Sequence, residues 1–193
     1  EAVKRVMQYA TEGKVEHDDI SACYGRYVAE TIAADQDVPA IDRSPYDGFA
    51  FRAVVSAGAS ADQPVTFDVV GTIGAGFVFH GVVEAGQAVR IMTGAPIPQG
   101  CDAVVMLELT KGYEEAGKTY MSVKRAFASG TNISYRGEDV KQGAVLVTKG
   151  TYINPGVAAL LATFGYASVP VFVKPVIGVI ATGSELLEPH EAL

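Results

Sequence analysis

The 193-residue sequence has no tryptophan, only two cysteines and only three histidines. Cys23 and Cys101 stand far apart and outside any CxxC spacing. That excludes a disulfide framework and points to a reducing compartment. His17, His80 and His190 share no metal-ligand spacing, so a zinc site has no support. The chain also lacks a GxSxG elbow, which removes the usual α/β-hydrolase nucleophile. Positive charge is scarce. Fifteen Lys and Arg against 22 Asp and Glu leave a net charge of −7 and a pI near 4.9. No basic cluster exceeds Lys124-Arg125, and an acidic surface repels phosphate backbones, so nucleic acid is excluded as a partner. No apolar run approaches the roughly 18 residues of a helical membrane span. The longest, from Ala167 to Ala181, is broken by Pro170, Lys174 and Pro175. No signal-peptide pattern is visible, and the expected location is cytoplasmic.

What is present is an ordinary globular composition, 49% apolar and 19% charged, at a length suited to one domain or two small ones. Val3, Val6, Met7 and Ala10 recur at helical spacing, as do Ile20, Ala22, Cys23, Tyr27, Val28 and Ile32. The first thirty-odd residues therefore read as helix, ending before Pro39. From Pro39 to Thr151 the texture changes to short β-rich runs at Val65–Val70, Ala88–Met92, Ala103–Leu107 and Thr119–Val123. Gly- and Pro-marked turns separate them, which predicts an antiparallel β module of about a hundred residues. Asn154 and Pro155 then suit the N-cap and first position of a helix with a Val157, Leu160, Leu161, Phe164 stripe. Val169–Val173 and Val176–Ile180 read as strands, the second apolar throughout as a buried parallel strand would be.

Four polar, Gly-marked loops could carry chemistry: Asp42–Ala50, Arg90–Pro98, Arg136–Asp139 and Thr182–Glu185. The Asp47-Gly48 pair either forms a bare turn or presents a carboxylate where backbone approaches closely. Thr93-Gly94, at a strand end, offers a hydroxyl and free backbone N–H groups to an oxyanion. Glu138 and Asp139 add adjacent acids, and Thr182-Gly183-Ser184-Glu185 lies where ligands of open α/β sheets bind. Gly71–Gly76 has the order GxxGxG and reads as turns rather than a phosphate cradle. Separated carboxylates with oxygen-only ligands suit Mg²⁺ held between protein and a substrate phosphate.

The wording of these loops is itself informative. Val38-Pro39 and Asp42-Arg43-Ser44-Pro45-Tyr46-Asp47-Gly48-Phe49-Ala50 resemble the P-x-x-D-x-S-x-M-D-G-Y-A signature of the MoeA and gephyrin E-domain family. Arg90 to Val105 resembles the same family's R-I-M-T-G-A-P run. Asn132-Ile133, Arg136-Gly137-Glu138-Asp139 and Thr182-Gly183-Ser184-Glu185-Leu186 follow in the family's order.

The resemblance implies an α+β, multidomain chain. A discontinuous helical and β domain (1–43 and 140–174) holds an inserted β-rich domain (44–139), and 175–193 supplies the first strand of a truncated, MogA-like pterin-binding domain. It further implies a homodimer whose full-length enzyme inserts molybdate into adenylylated molybdopterin with Mg²⁺ and releases AMP. Within this chain alone no activity is expected, and a molybdopterin adenylyltransferase is an implied partner. By the same resemblance Asp47, Thr93, Asp139 and Glu185 are catalytic. Thr93, Gly94, Thr182, Gly183 and Ser184 bind the pterin substrate, and Asp139 and Glu185 take the metal. A non-catalytic pterin- or molybdate-binding or scaffold protein is the alternative with this architecture. Tyr46 replaces the family's Met and Pro45 its Ala or Gly. Ser134 interrupts an Arg-rich stretch, and Ser184 replaces an acid.

Overall fold

The computed structural model describes residues 1–183, 185–187 and 189–190; Ser184 lies outside the described residues. The chain is mostly β with few helices and divides into two compact units. One comprises Glu1–Ala33 with Val145–Leu193, the other Ala34–Ala144.

The Ala34–Ala144 unit is built on a six-stranded sheet. Its strands are β3 (Gly48–Phe51), β4 (Val65–Ile73), β5 (Gln87–Ile91), β6 (Ala103–Met106), β7 (Thr110–Glu115) and β8 (Lys118–Val123). They lie in the order β6-β3-β5-β4-β8-β7. Side chains alternate between two buried faces, as a period of two requires. Phe49, Phe51, Phe67, Ala88, Val105, Met121 and Val123 pack on one face. Ala50, Ile73, Val83, Val89, Ile91 and Val104 pack on the other. Covering both faces is why β3 and β6 are continuous apolar runs. All four expected runs are strands, and β3 and β7 join them. The module is not wholly antiparallel, because β4 pairs parallel with β5, Ile73 opposite Ile91. The connection through residues 74–86 is long enough for the crossover that parallel pairing needs.

In the other unit, α1 (Ala2–Met7) is one exposed turn and a half, its apolar stripe unburied. The helix expected from Asp18 onward is absent. Strand β1 (Val15–Asp19) instead pairs antiparallel with β10 (Ser168–Phe172), and β2 (Ile32–Ala33) pairs with β9 (Val145–Val147). Tertiary pairing overrides helical spacing here. On β1 the alternate residues Glu16 and Asp18 share a face, and both carboxylates grip the Arg26 guanidinium. The second contact is 2.6 Å, and Arg26 also donates to the Phe172 carbonyl at 2.7 Å. Asp19 accepts from the Ser21 N–H at 2.8 Å and its hydroxyl at 2.6 Å, turning the chain out of the strand. Helix α2 (Pro155–Thr163) is capped as expected: Asn154 Oδ1 accepts from the Val157 N–H at 2.9 Å. It closes a core of Cys23, Val28, Ile32, Val147, Ile153, Leu161, Val169 and Val171. Residues 176–180 form no strand, contrary to expectation, because no described residue pairs with them; Val176 is fully exposed.

Candidate functional site

The site in the Ala34–Ala144 unit begins with a backbone constraint. Gly48 opens β3 directly after Asp47, and a Cβ there would lie 1.9 Å from the Val105 carbonyl oxygen of β6. Only glycine lets the strands close at this point. Asp47 is held at the rim, its own carbonyl accepting from the Leu107 N–H at 3.0 Å. Across the sheet, β5 ends at Ile91 and the chain turns through Met92–Ala95, with Ala95 N–H donating to Met92 O at 3.0 Å. Gly94 occupies the third turn position at φ +83°, which favours glycine.

That turn brings Thr93 to Asp47. The Thr93 N–H and hydroxyl both donate to Asp47 Oδ1, at 2.7 and 2.8 Å. These bonds, the backbone one foremost, hold the Asp47 carboxyl below the usual 3.8 of an aspartate; desolvation opposes them, and Arg90 adds a smaller lowering effect. At neutral pH Asp47 is therefore an anion with Oδ2 left to accept from a ligand or water.

Beside this pair lies a cavity of about 280 Å³ lined by Arg43, Ser44, Pro45, Thr93, Gly94 and Ser134. Its walls are tied by backbone bonds: Arg43 and Ser134 exchange both N–H···O contacts at 2.9 and 3.0 Å, and Ser44 N–H donates to Ala95 O at 2.9 Å. Buried Ser44 hydrogen-bonds back to the Tyr46 carbonyl at 2.6 Å. One expectation is corrected. The loop does not offer free N–H groups, since Thr93 N–H is bound to Asp47 and Gly94 N–H to Ser44 O at 2.8 Å. Turn closure consumed them.

The Arg136–Asp139 loop is a different kind of object. Asp37 accepts from Arg136 Nε at 2.5 Å and from the Gln142 N–H at 2.9 Å, contacts that also hold its carboxyl below 3.8. Asp42 accepts from the Arg136 N–H at 2.8 Å. Asp139 is exposed on this loop, its N–H bound to Val38 O at 3.0 Å. Thr182, Gly183 and Glu185 lie in an exposed, irregular segment of the other compact unit. Among the described residues no three His, Cys, Asp or Glu groups converge. An exposed carboxylate such as Asp139 still fits Mg²⁺, which takes one or two protein carboxylates and completes its shell from phosphate and water.

Two arginines at the site carried no assigned role in the sequence reading. Arg43 lines the cavity, and Arg90 lies with its guanidinium 5.2 Å from the Phe49 ring centre, acting on Asp47. Their only sequence signal was their place inside the two motifs.

With this geometry in view, the relationships are informative. Residues 1–165 match the family model of the MoeA N-terminal region, domains I and II. The chain belongs to that family. It is 57% identical over its whole length to a molybdopterin molybdenumtransferase of Bacillus subtilis strain 168 and 46% identical to one of Staphylococcus epidermidis. The chain spans 45% of the length of each of these relatives. Among solved structures it is similar to the molybdopterin biosynthesis MoeA protein of Pyrococcus horikoshii OT3, at TM-score 0.85 and 40% identity over 92% of this chain and 46% of that one.

Proposed function

We propose that this chain serves molybdenum cofactor biosynthesis as part of an enzyme that inserts molybdate into adenylylated molybdopterin and releases AMP. The observation that carries the reading is the Asp47–Thr93 pair, an ionised carboxylate fixed by two hydrogen bonds from a residue that lines a cavity with Arg43 and Ser134. A preorganised acceptor of this kind orients a water molecule or a substrate hydroxyl without reorganising during the reaction. Thr93 acts chiefly by holding Asp47, because its single hydroxyl proton points at that carboxylate. Gly94 leaves room for substrate, and Thr182, Gly183, Ser184 and Glu185 contact the pterin side. Mg²⁺, when bound, would be held by Asp139 and Glu185 and would offset the charge of the transferring phosphate.

In this proposal 1–43 and 140–174 flank an inserted domain at 44–139, while 175–193 opens the pterin-binding domain. The enzyme works as a cytoplasmic homodimer and receives substrate from a molybdopterin adenylyltransferase. No described helix is long and apolar enough to cross a membrane. The test uses a polypeptide of the relatives' full length carrying this chain, given adenylylated molybdopterin, molybdate and Mg²⁺. Metal-dependent AMP release supports the transferase; pterin binding without AMP release supports a binding or scaffold protein instead.

A further inference from the structure

We propose that the cavity between the Arg43–Ser134 bridge and the Thr93–Gly94 turn is a subsite for a tetrahedral oxyanion, anchored by Arg43. The proposal rests on the transferase reading for the oxyanion's identity, though the binding it asserts can be measured without it.

Arg26 is gripped by Glu16 and Asp18, and Arg136 by Asp37. Arg43 is half-buried, yet among the described residues no carboxylate pairs with it. Arg52 and Arg90 are likewise half-buried without an ion pair, but of the three only Arg43 lines this cavity. Removing its water costs free energy that an incoming anion would offset. Its planar fork matches two oxygens of a phosphate-like group.

The bridge then places a second donor beside the first. Residues opposite each other in an antiparallel bridge carry neighbouring side chains, about 5 Å apart at Cβ. Arg43 and Ser134 therefore line the cavity side by side. Facing them, Gly94 contributes open space rather than a side chain, and the Thr93 donors are occupied by Asp47. The donors left for an anion are Arg43 and Ser134. Two groups in the proposed reaction share the required chemistry, free molybdate and a phosphate carried on the substrate.

The full chain is titrated calorimetrically with sodium molybdate, inorganic phosphate and AMP at low ionic strength. Wild type is compared with Arg43→Ala, Arg43→Lys and the exchange Arg43→Ser with Ser134→Arg. Melting curves confirm that each variant folds. The expected result is binding of at least one probe, weakened about tenfold or more in Arg43→Ala. Arg43→Lys should lie between, and the exchange should recover most of the affinity. Binding of molybdate but not AMP makes the site one for the free oxyanion; the reverse makes it the substrate's phosphate site. Wild type that binds none of the three, or Arg43→Ala that binds as wild type does, overturns the proposal. Arg43-dependent binding in a protein that releases no AMP would remove the transferase reading and leave the subsite standing.

Discussion

Arg43 and Arg136 sit in the same compact unit, each beside a Gly-containing turn, and they do opposite things. Arg136 has its side chain on Asp37 and its N–H on Asp42, so its loop is tied down by charge supplied from within the fold. Arg43 is tied through its backbone to Ser134 and lines a cavity, and among the described residues no carboxylate pairs with its side chain. A committed arginine maintains a structure. An uncommitted one that lines a cavity is available to an anion of matching geometry. The carboxylates divide the same way, since both Asp37 oxygens are occupied whereas Asp47 keeps Oδ2 open.

The largest expected effect attacks the frame that holds both loops. Gly48→Ala would drive a Cβ into the Val105 carbonyl, and we expect a loss of more than about 3 kcal/mol, seen as insolubility or a collapsed urea midpoint. Wild-type stability would mean that β3 and β6 do not meet as described. Next is Asp47→Asn in the full-length protein. It should lower AMP release by about a hundredfold or more with the melting temperature nearly unchanged. The two arginines then separate by readout. Arg136→Ala should lower the melting temperature and leave anion binding intact, whereas Arg43→Ala should stay within about 0.5 kcal/mol in stability and lose binding. If both variants behave alike, the distinction between them fails.

Smaller still is the pH response. Asp37 and Asp47 both titrate below 3.8 in the folded chain, through hydrogen bonds to the charged form. Their stabilisation is therefore fully present above pH 3.8 and is lost only as pH falls through the lower folded values. Carboxyl carbon shifts followed by NMR should show both midpoints below 3.8, and a midpoint at or above it would contradict the contacts. The least effect concerns Cys101, whose thiol burial pushes up to about 12, with Asp102 assisting. It should react with a thiol reagent far more slowly in the native chain than in urea.

Much of the sheet was legible because its Val-rich runs, unbroken in β6 and interrupted by polar residues in β4, stand between turn residues. Helix α2 was legible for a local reason, since Asn154 and Pro155 act on the next few backbone groups only. The region from Asp18 to Ala33 misled. Its apolar spacing satisfies a helix, but Glu16 and Asp18 match a strand that presents both to Arg26, and that partner lies in a turn no periodicity marks. At the site, the motifs located Asp47, Thr93 and Gly94. They could not show that the Thr93 and Gly94 donors are occupied, nor that Arg43 has no acid partner among the described residues. Those facts depend on contacts between residues far apart in sequence, such as Thr93 with Asp47 and Arg43 with Ser134.

The central claim is that Asp47, fixed by Thr93, serves the transfer of molybdenum to the pterin. Its most direct test is AMP release from adenylylated molybdopterin by the full-length protein, measured with and without Mg²⁺ for wild type and Asp47→Asn. The account predicts Mg²⁺-dependent release by wild type and almost none by the variant, at matching melting temperatures. Release by Asp47→Asn at the wild-type rate would contradict it.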